Sequence, residues 1–274
     1  MKVAFARPRP ELAPYIEAVW MFESDVGLPP EDTTVSAPNG CSRLIIPFEN
    51  SMISMANGRI EVGREKGVYF VGLRDGPAFL RTQAGRTGLV GIDFHPCGAF
   101  PIFGVPMAET TNHHLAVDAL FGKWGVEVID RVHNLKRADE RIAFIQLELL
   151  RRLRANKRQN PVVEFCVAAL RSSSGRTSIS KLERSTGYSR RYLDLLFKQH
   201  VGLSPKTIAE IFRFQKFYRI WAQKRTYDTF TREIYDDYHD QSHFTKEFKR
   251  MTGFPPLRFS QAVTNEFGRH LSLR

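Results

Sequence analysis

The chain reads as an α+β protein of two domains. An N-terminal antiparallel β-sheet or barrel with flanking helices is followed by a C-terminal all-α domain with two helix-turn-helix units. Three observations point there. Asn-Gly and Asp-Gly turns separate short strand-like runs in the first half only. Charge divides sharply: residues 1–150 carry 15 Lys and Arg against 18 Asp and Glu, whereas residues 151–274 carry 25 against 11, so the net +11 resides in the second half. A basic helical unit bounded by glycine and proline occurs twice in that half. A length of 274 residues suits two cores better than one. The boundaries read as a first domain over 1–154 (β-rich 1–105, helical 106–154), a linker 155–161, a helical domain 162–262 and a tail 263–274.

In the first half, Leu12 to Phe22 opens with a helical turn and runs into a strand at Val19-Trp-Met-Phe. Strand-like runs follow at 43–48, 52–55, 68–73 and 88–94, separated by Ala37-Pro-Asn-Gly40, Asn57-Gly58 and Arg74-Asp-Gly-Pro77. Asn-Gly and Asp-Gly favour hairpins because both central turn residues need positive φ. From Pro106 the pattern turns helical, over 115–121, 124–132 and 139–154. In the last of these Ile142, Ile145, Leu149 and Leu153 share a face. That face either packs back on the sheet or forms a dimer contact. The stretch Arg154-Ala-Asn-Lys-Arg-Gln-Asn-Pro161 is polar and reads as a linker.

Trp20, Phe22, Phe94 and Phe100 are either ordinary core or the walls of a pocket in which Arg43 grips an anion, with His95 beside them. His95, His113 and His114, with Asp93 or Glu109, fit no metal-ligand spacing, and His113-His114 beside Asn112 reads as a polar loop. No nucleophile elbow, phosphate loop or dinucleotide fingerprint occurs, so no catalytic residue, metal or cofactor is expected. Cys41, Cys97 and Cys166 form no Cys-x-x-Cys pair and read as buried thiols. No apolar run is long enough to span a membrane and the N-terminus has no signal core, so a cytoplasmic protein is expected.

The second half opens with a helix at Pro161–Leu170, its Val162, Val163, Cys166 and Leu170 inward. A short helix from Ile179 to Thr186 ends at Gly187, and Ser189 is the N-cap of the next, in which Tyr192, Leu193, Leu196 and Phe197 form an apolar stripe. Arg190, Arg191 and Lys198 lie off that stripe. Gly202 closes the helix, and Ser204-Pro205 opens a long one reaching Ala222. At about 1.5 Å per residue it spans roughly 25–30 Å, near the ~34 Å of one DNA turn. The design repeats downstream: Asp240 caps, Phe244 and Phe248 face inward, Lys246, Lys249 and Arg250 face out, and Gly253 and a proline pair follow. Helix, glycine turn, basic helix is the helix-turn-helix pattern, and the positive charge suits a polyanion whose counterions it releases.

Two linked motifs carry a family resemblance. Gly187, Ser189, Arg191, Leu193, Phe197, Gly202, Ser204 and Pro205, followed by Asp240-Gln-Ser-His-Phe244, Phe248, Lys249, Gly253 and Pro256, resemble the AraC/XylS family of bacterial transcriptional regulators. The resemblance covers Pro161 to Phe259 and implies two reading helices in successive major grooves. Glu183 departs from it, standing where a small residue is usual, so its carboxylate needs a partner or must point out. In the approach to the second unit, Asp237 replaces the turn glycine and Asp236 adds negative charge. More weakly, Leu12, Tyr15, Val19-Trp20, Pro38-Asn-Gly40, Arg43-Leu-Ile-Ile, Gly72 and Gly91-Ile-Asp-Phe-His-Pro96 are similar to the sensor domains fused to such units. Those are cupin-like β-structures that bind small effectors or mediate dimerisation.

By motif position the first unit presents Ser189, Arg190, Arg191, Asp194, Leu195, Lys198 and Lys206, the second Gln241, Ser242, His243, Thr245, Lys246, Lys249 and Arg250. Arginine pairs with guanine, aspartate with cytosine, leucine with a thymine methyl and glutamine with adenine. Lys198, Lys206, Lys249 and Arg250 suit phosphates, which set register without reading sequence. Tyr192 is expected in the core. The expected partner is double-stranded DNA, with a small effector, RNA polymerase and a second copy of the chain as further candidates and no membrane. Two alternatives stand beside an effector-controlled regulator: a constitutive DNA-binding protein with a purely structural first domain, and a barrel metalloenzyme fused to a DNA-binding domain.

Overall fold

The computed structural model describes residues 2–27, 34–64, 66–83, 85–156, 158–224, 241–256 and 258–259. Its ten strands are β1 (Lys2–Ala6), β2 (Ile16–Ser24), β3 (Thr34–Ser36), β4 (Ser42–Pro47), β5 (Met52–Ala56), β6 (Arg59–Val62), β7 (Tyr69–Val71), β8 (Ala78–Thr82), β9 (Thr87–Phe94) and β10 (His114–Ala116). They form a six-stranded sheet in the order β1-β2-β9-β4-β7-β10 and a four-stranded sheet in the order β3-β8-β5-β6. The named pairs are antiparallel. Asn57 and Gly58 have φ of 52° and 72°, the paired positive values of the two-residue turn that joins β5 to β6.

Strand β9 is buried along its whole length because both faces of the large sheet are covered. Side chains alternate. Val90, Ile92 and Phe94 join Leu44, Ile46 and Phe70 in a core closed by α1 (Ala99–Phe103), α2 (Val117–Phe121), α3 (Lys123–Asn134) and α4 (Ala138–Asn156). Leu89 and Asp93 face the other way, toward the small sheet. Gly91 is required there, since a Cβ would lie 2.1 Å from the Trp20 ring. Ile145 and Leu149 of α4 are fully buried in the helix-covered core, with Ile142 and Leu153 against it, so this face packs back on the sheet. Residues 115–121 were expected as one helix. Instead His114–Ala116 pair with β7 and only Val117–Phe121 are helical. The β7 edge offers backbone partners that local periodicity cannot register.

Asn160 caps α5 (Pro161–Ser172), its side chain accepting from the amides of Val162 and Val163 at 3.1 and 3.2 Å, with Pro161 in the first turn. Then come α6 (Ile179–Thr186), α7 (Arg190–His200), α8 (Pro205–Lys224) and α9 (Gln241–Thr252). Their core of Val163, Leu170, Leu193, Phe197, Ile211 and Phe248 also takes in Val35, Ala37 and Leu73 from the first half. The seam between the halves is therefore apolar at its centre, with polar ties around it. Gln215 Nε2 donates to Pro38 O at 2.7 Å, Thr111 Oγ1 to Gly202 O at 2.9 Å, and Arg250 to Asp75 O at 3.3 Å. Arg171 of α5 pairs with Glu17 of β2, and His95 Nδ1 lies 2.6 Å from the same carboxylate. Burial opposes ionisation of Glu17, but hydrogen bonds from His95 and Arg171 outweigh it and hold the pKa at about 2.

Candidate nucleic-acid interface and cavity

The first helix-turn-helix is built by local chemistry. Ser178 caps α6 by accepting from Lys181 N, and α6 ends at Gly187, whose φ of 74° and ψ of 3° let its N–H reach Glu183 O at 2.8 Å. Glycine adopts this left-handed geometry without the clash a Cβ brings. Two residues later Ser189 Oγ accepts from Tyr192 N, starting α7. Glu183 has its partner: Oε1 accepts the Arg190 amide at 2.7 Å, so the carboxylate adds a second cap and sits where the helix dipole is positive. Leu193, Leu196 and Phe197 are buried. Tyr192 does not join them. It is 42% exposed and packs on Tyr188 with ring centroids 4.9 Å apart. Tyr192 sits one position before the buried row, and its ring turns to the neighbouring tyrosine.

Arg190, Arg191, Asp194, Leu195 and Lys198 line one shallow depression on the outer face of α7. Leu195 is 60% exposed, so the face is not closed by packing. Lys206 is exposed and lies 3.9 Å from Glu210, a pair that solvent weakens. At the opposite end of α7 the chain meets the first half: the His200 ring packs against Phe100 at a tilt of 56° with centroids 4.2 Å apart, and burial pushes its pKa down.

In α9, Phe244 and Phe248 are buried against Phe217 and Phe214 of α8. Ser242, His243, Lys246 and Lys249 are exposed and Thr245 is half-buried. Gln241 opens the helix, but its side chain lies outside the described residues, as do Asp236, Asp237 and Asp240 and the tail 263–274. Arg250 is engaged: its guanidinium lies 2.8 Å from Glu210 of α8 and donates to Asp75 O. A phosphate at Arg250 would compete with both.

A second feature lies between the two sheets. A cavity of about 90 Å³ is lined by Trp20 and Arg43, with Ser36–Asn39, Cys41, Ile45, Met52, Arg74 and His114 among its other walls. Of the residues expected at a pocket, the structure brings Trp20 and Arg43 together. Phe22 is fully buried beside them without lining the space. Phe94 points to the helix-covered face and His95 to the seam with α5. Arg43 is anchored, Nε to Asp93 Oδ1 at 2.8 Å, and Trp20 Nε1 donates to the same oxygen at 3.1 Å. Arg74 was missed, and Asp93 and His114 were weighed only as metal ligands and not as part of a pocket. One signal was present: Asp93 interrupts an otherwise apolar run and alternation sets it opposite Arg43. Burial pushes the Cys41 thiol up, as does the nearby Asp93 charge. Among the described residues no group of three or more His, Cys, Asp or Glu is placed to hold a metal, and no helix is long and apolar enough to cross a membrane.

Comparison with known proteins fits this division. Residues 182–262 match a family model described as a helix-turn-helix domain, and residues 5–116 match one described as a domain of unknown function (DUF6597). No curated protein matches the chain. Among solved structures it is similar to ToxT from Vibrio cholerae, at 9% identity and TM-score 0.50, over 89% of this chain and 99% of that one. ToxT from Vibrio cholerae O395 bound to (E)-4-(8-methylnaphthalen-1-yl)but-3-enoic acid follows, at 10% identity and TM-score 0.49 over 89% and 99%. The AraC-like transcriptional activator CuxR is similar at 15% identity and TM-score 0.33, over 81% and 86%. At 9% identity the likeness to the first of these is one of fold alone.

Proposed function

We propose that this chain, a DNA-binding transcription regulator with an AraC-type helix-turn-helix domain, reads specific double-stranded DNA through α7 and α9 under the control of a small effector held by its first half. The observation that carries the reading is the outer face of α7: two arginines, a leucine and a lysine exposed together, with a half-buried aspartate among them, on a helix capped at Ser189. Those groups match guanine edges, a cytosine amine, a thymine methyl and a phosphate. Ser242, His243, Thr245, Lys246 and Lys249 are the corresponding groups of α9, with Gln241 at its start. The connector α8 has 20 residues, roughly 30 Å at about 1.5 Å per residue, a length that suits two helices about one DNA turn apart.

Effector control rests on a shared wall. Ser36 to Asn39 and Cys41 line the cavity, while the same segment meets α8 from behind: Pro38 O accepts from Gln215, Ala37 lies in the helical core, and a Cβ on Gly40 would sit 3.3 Å from Phe212. A ligand that favours one arrangement of this wall shifts the reading heads by its differential affinity for the two states. The test is selection from a random double-stranded DNA library across a salt series, with wild type and Arg190→Ala/Arg191→Ala. Two enriched half-sites about one turn apart, weakened in the variant, are expected. Salt-sensitive binding with no enriched sequence would sink the base-reading role.

A further inference from the structure

A chain of hydrogen bonds joins the ends of α7 and α9 through the first half, without passing through α8. Thr111 Oγ1 donates to Gly202 O at 2.9 Å, just past the end of α7. Asn112, the next residue, accepts the Asp75 amide on Oδ1 at 3.2 Å, and its own amide donates to Leu73 O at 2.9 Å. Asp75 O in turn accepts from Arg250 of α9 at 3.3 Å. The glycines that follow the two helices press on the same surface. A Cβ on Gly202 would lie 2.5 Å from Thr111 Oγ1, and one on Gly253 would lie 2.7 Å from the Phe79 ring. Segments 73–79 and 107–112 thus form one seat for the C-terminal ends of both helices. Asn112 joins these segments from a φ of 63°, a left-handed conformation that asparagine tolerates better than most residues.

We infer that Asn112 is a positioning residue for DNA reading: it ties the seat of α7 to the seat of α9, so that the protein accepts one spacing of half-sites. The helical half supplies two sides of a frame. At residues 202–204 α7 turns into α8, and α9 lies against α8 through Phe244, Phe248 and the pairs Arg213–Glu247 and Arg250–Glu210. Two joined sides leave the angle between α7 and α9 to a short turn and to apolar packing, which is non-directional. The chain through Asn112 closes the third side, and its hydrogen bonds weaken steeply when bent off line. Each base pair added between half-sites rotates the second by about 35°, which the protein must follow or the DNA must absorb by twisting. The inference rests on the proposed reading of DNA through both helices.

The test uses the full chain and duplexes in which two half-sites from the DNA selection stand at the selected spacing, or one base pair nearer or farther. Wild type is expected to bind the altered spacings at least about tenfold more weakly. Asn112→Gly keeps access to positive φ and removes the acceptor, so its loss should shrink to about threefold or less. A duplex with the first half-site alone should bind both proteins equally. Asn112→Asp, which keeps an acceptor oxygen, should restore the wild-type preference. Thr111→Val breaks the chain at its other link and should broaden the spacing as Asn112→Gly does. Wild-type spacing preference in either broadening variant, or failure of Asn112→Asp to restore it, would overturn the inference and leave DNA reading standing. So would equal weakening on every duplex including the single half-site, or a wild type indifferent to spacing. A single enriched half-site in the selection would instead sink reading by α9, and this inference with it.

Discussion

The two helix-turn-helix units share a plan and differ in what holds them. The first is defined by its own residues: Gly187 makes the turn, Ser189 and Glu183 cap α7, and the outer face is turned away from the rest of the chain. The second is held by its surroundings. Arg250 ties α9 to Glu210 and to Asp75 of the first half, and Phe254 packs on Phe79 with ring centroids 5.9 Å apart. The helix α7 is thus pre-formed by local capping, and α9 takes its position partly from the domain that contains the cavity. The difference lies in where each helix meets the first half: α9 touches it through Arg250, whereas α7 touches it only near its C-terminal end, at His200, away from the outer face.

This contrast can be broken or sharpened experimentally. The largest effect is expected from Arg190→Ala/Arg191→Ala, which should cost about 2–4 kcal/mol of specific DNA affinity if both side chains contact bases. Lys246→Ala/Lys249→Ala should act mainly by lowering the slope of log K against log salt by about 2, one per phosphate. Equal loss of sequence preference in both doubles, seen in a gel-shift series, would erase the asymmetry. Next, Gly187→Val should destabilise by about 1–2 kcal/mol through backbone strain, because φ is +74° while a Cβ there meets nothing within 4 Å. Denaturant unfolding measures it, and an unchanged midpoint would mean the turn relaxes freely.

Arg250→Ala should relax the preference for the second half-site while sparing the first, since it loosens α9 without touching α7. Loss of about 1.4 kcal/mol, a tenfold effect, is expected. Equal weakening at both half-sites would show that the tie to Asp75 does not orient α9. A smaller effect of about 1 kcal/mol is expected from Glu183→Ala, the usual loss of a helix cap. Glu183→Gln, which keeps the acceptor, should recover most of it in thermal unfolding. The smallest effect is a pH dependence at the seam. The Glu17 carboxyl is held at about 2 against an ordinary 4.5, so its contribution is present above about 4.5 and fades as pH falls toward 2. The difference in melting temperature between wild type and Glu17→Gln should therefore be flat above pH 5 and shrink below about 4.5. A difference that changed between pH 6 and 8 would mean that another group governs the contact.

The helical half was legible because its signals are local. Capping serines, a glycine that must take positive φ, and apolar residues three and four apart act over one or two turns of chain, and each left a mark in the sequence. The hairpin at Asn57-Gly58 was readable for the same reason. Tyr192 escaped because its position beside the apolar row gives no sign that a neighbouring tyrosine would hold its ring outside. The cavity was only half legible. Trp20 and Arg43 could be named, but His114 looked like loop until its pairing with β7 made it a strand residue. Phe94 carried the right chemistry on the wrong face for a cavity wall.

By itself, then, the sequence determined two domains of opposite charge, a double helix-turn-helix, and which face of α7 is cationic, since these follow from composition and from contacts a few residues apart. The tertiary structure alone decided which strands become neighbours, and with them the row from Asp93 through Arg43 to His114. It also decided that Ser36 to Cys41 serve the cavity on one side and α8 on the other. These are contacts between distant parts of the chain, set by burial of apolar surface, and burial carries no sequence separation in it.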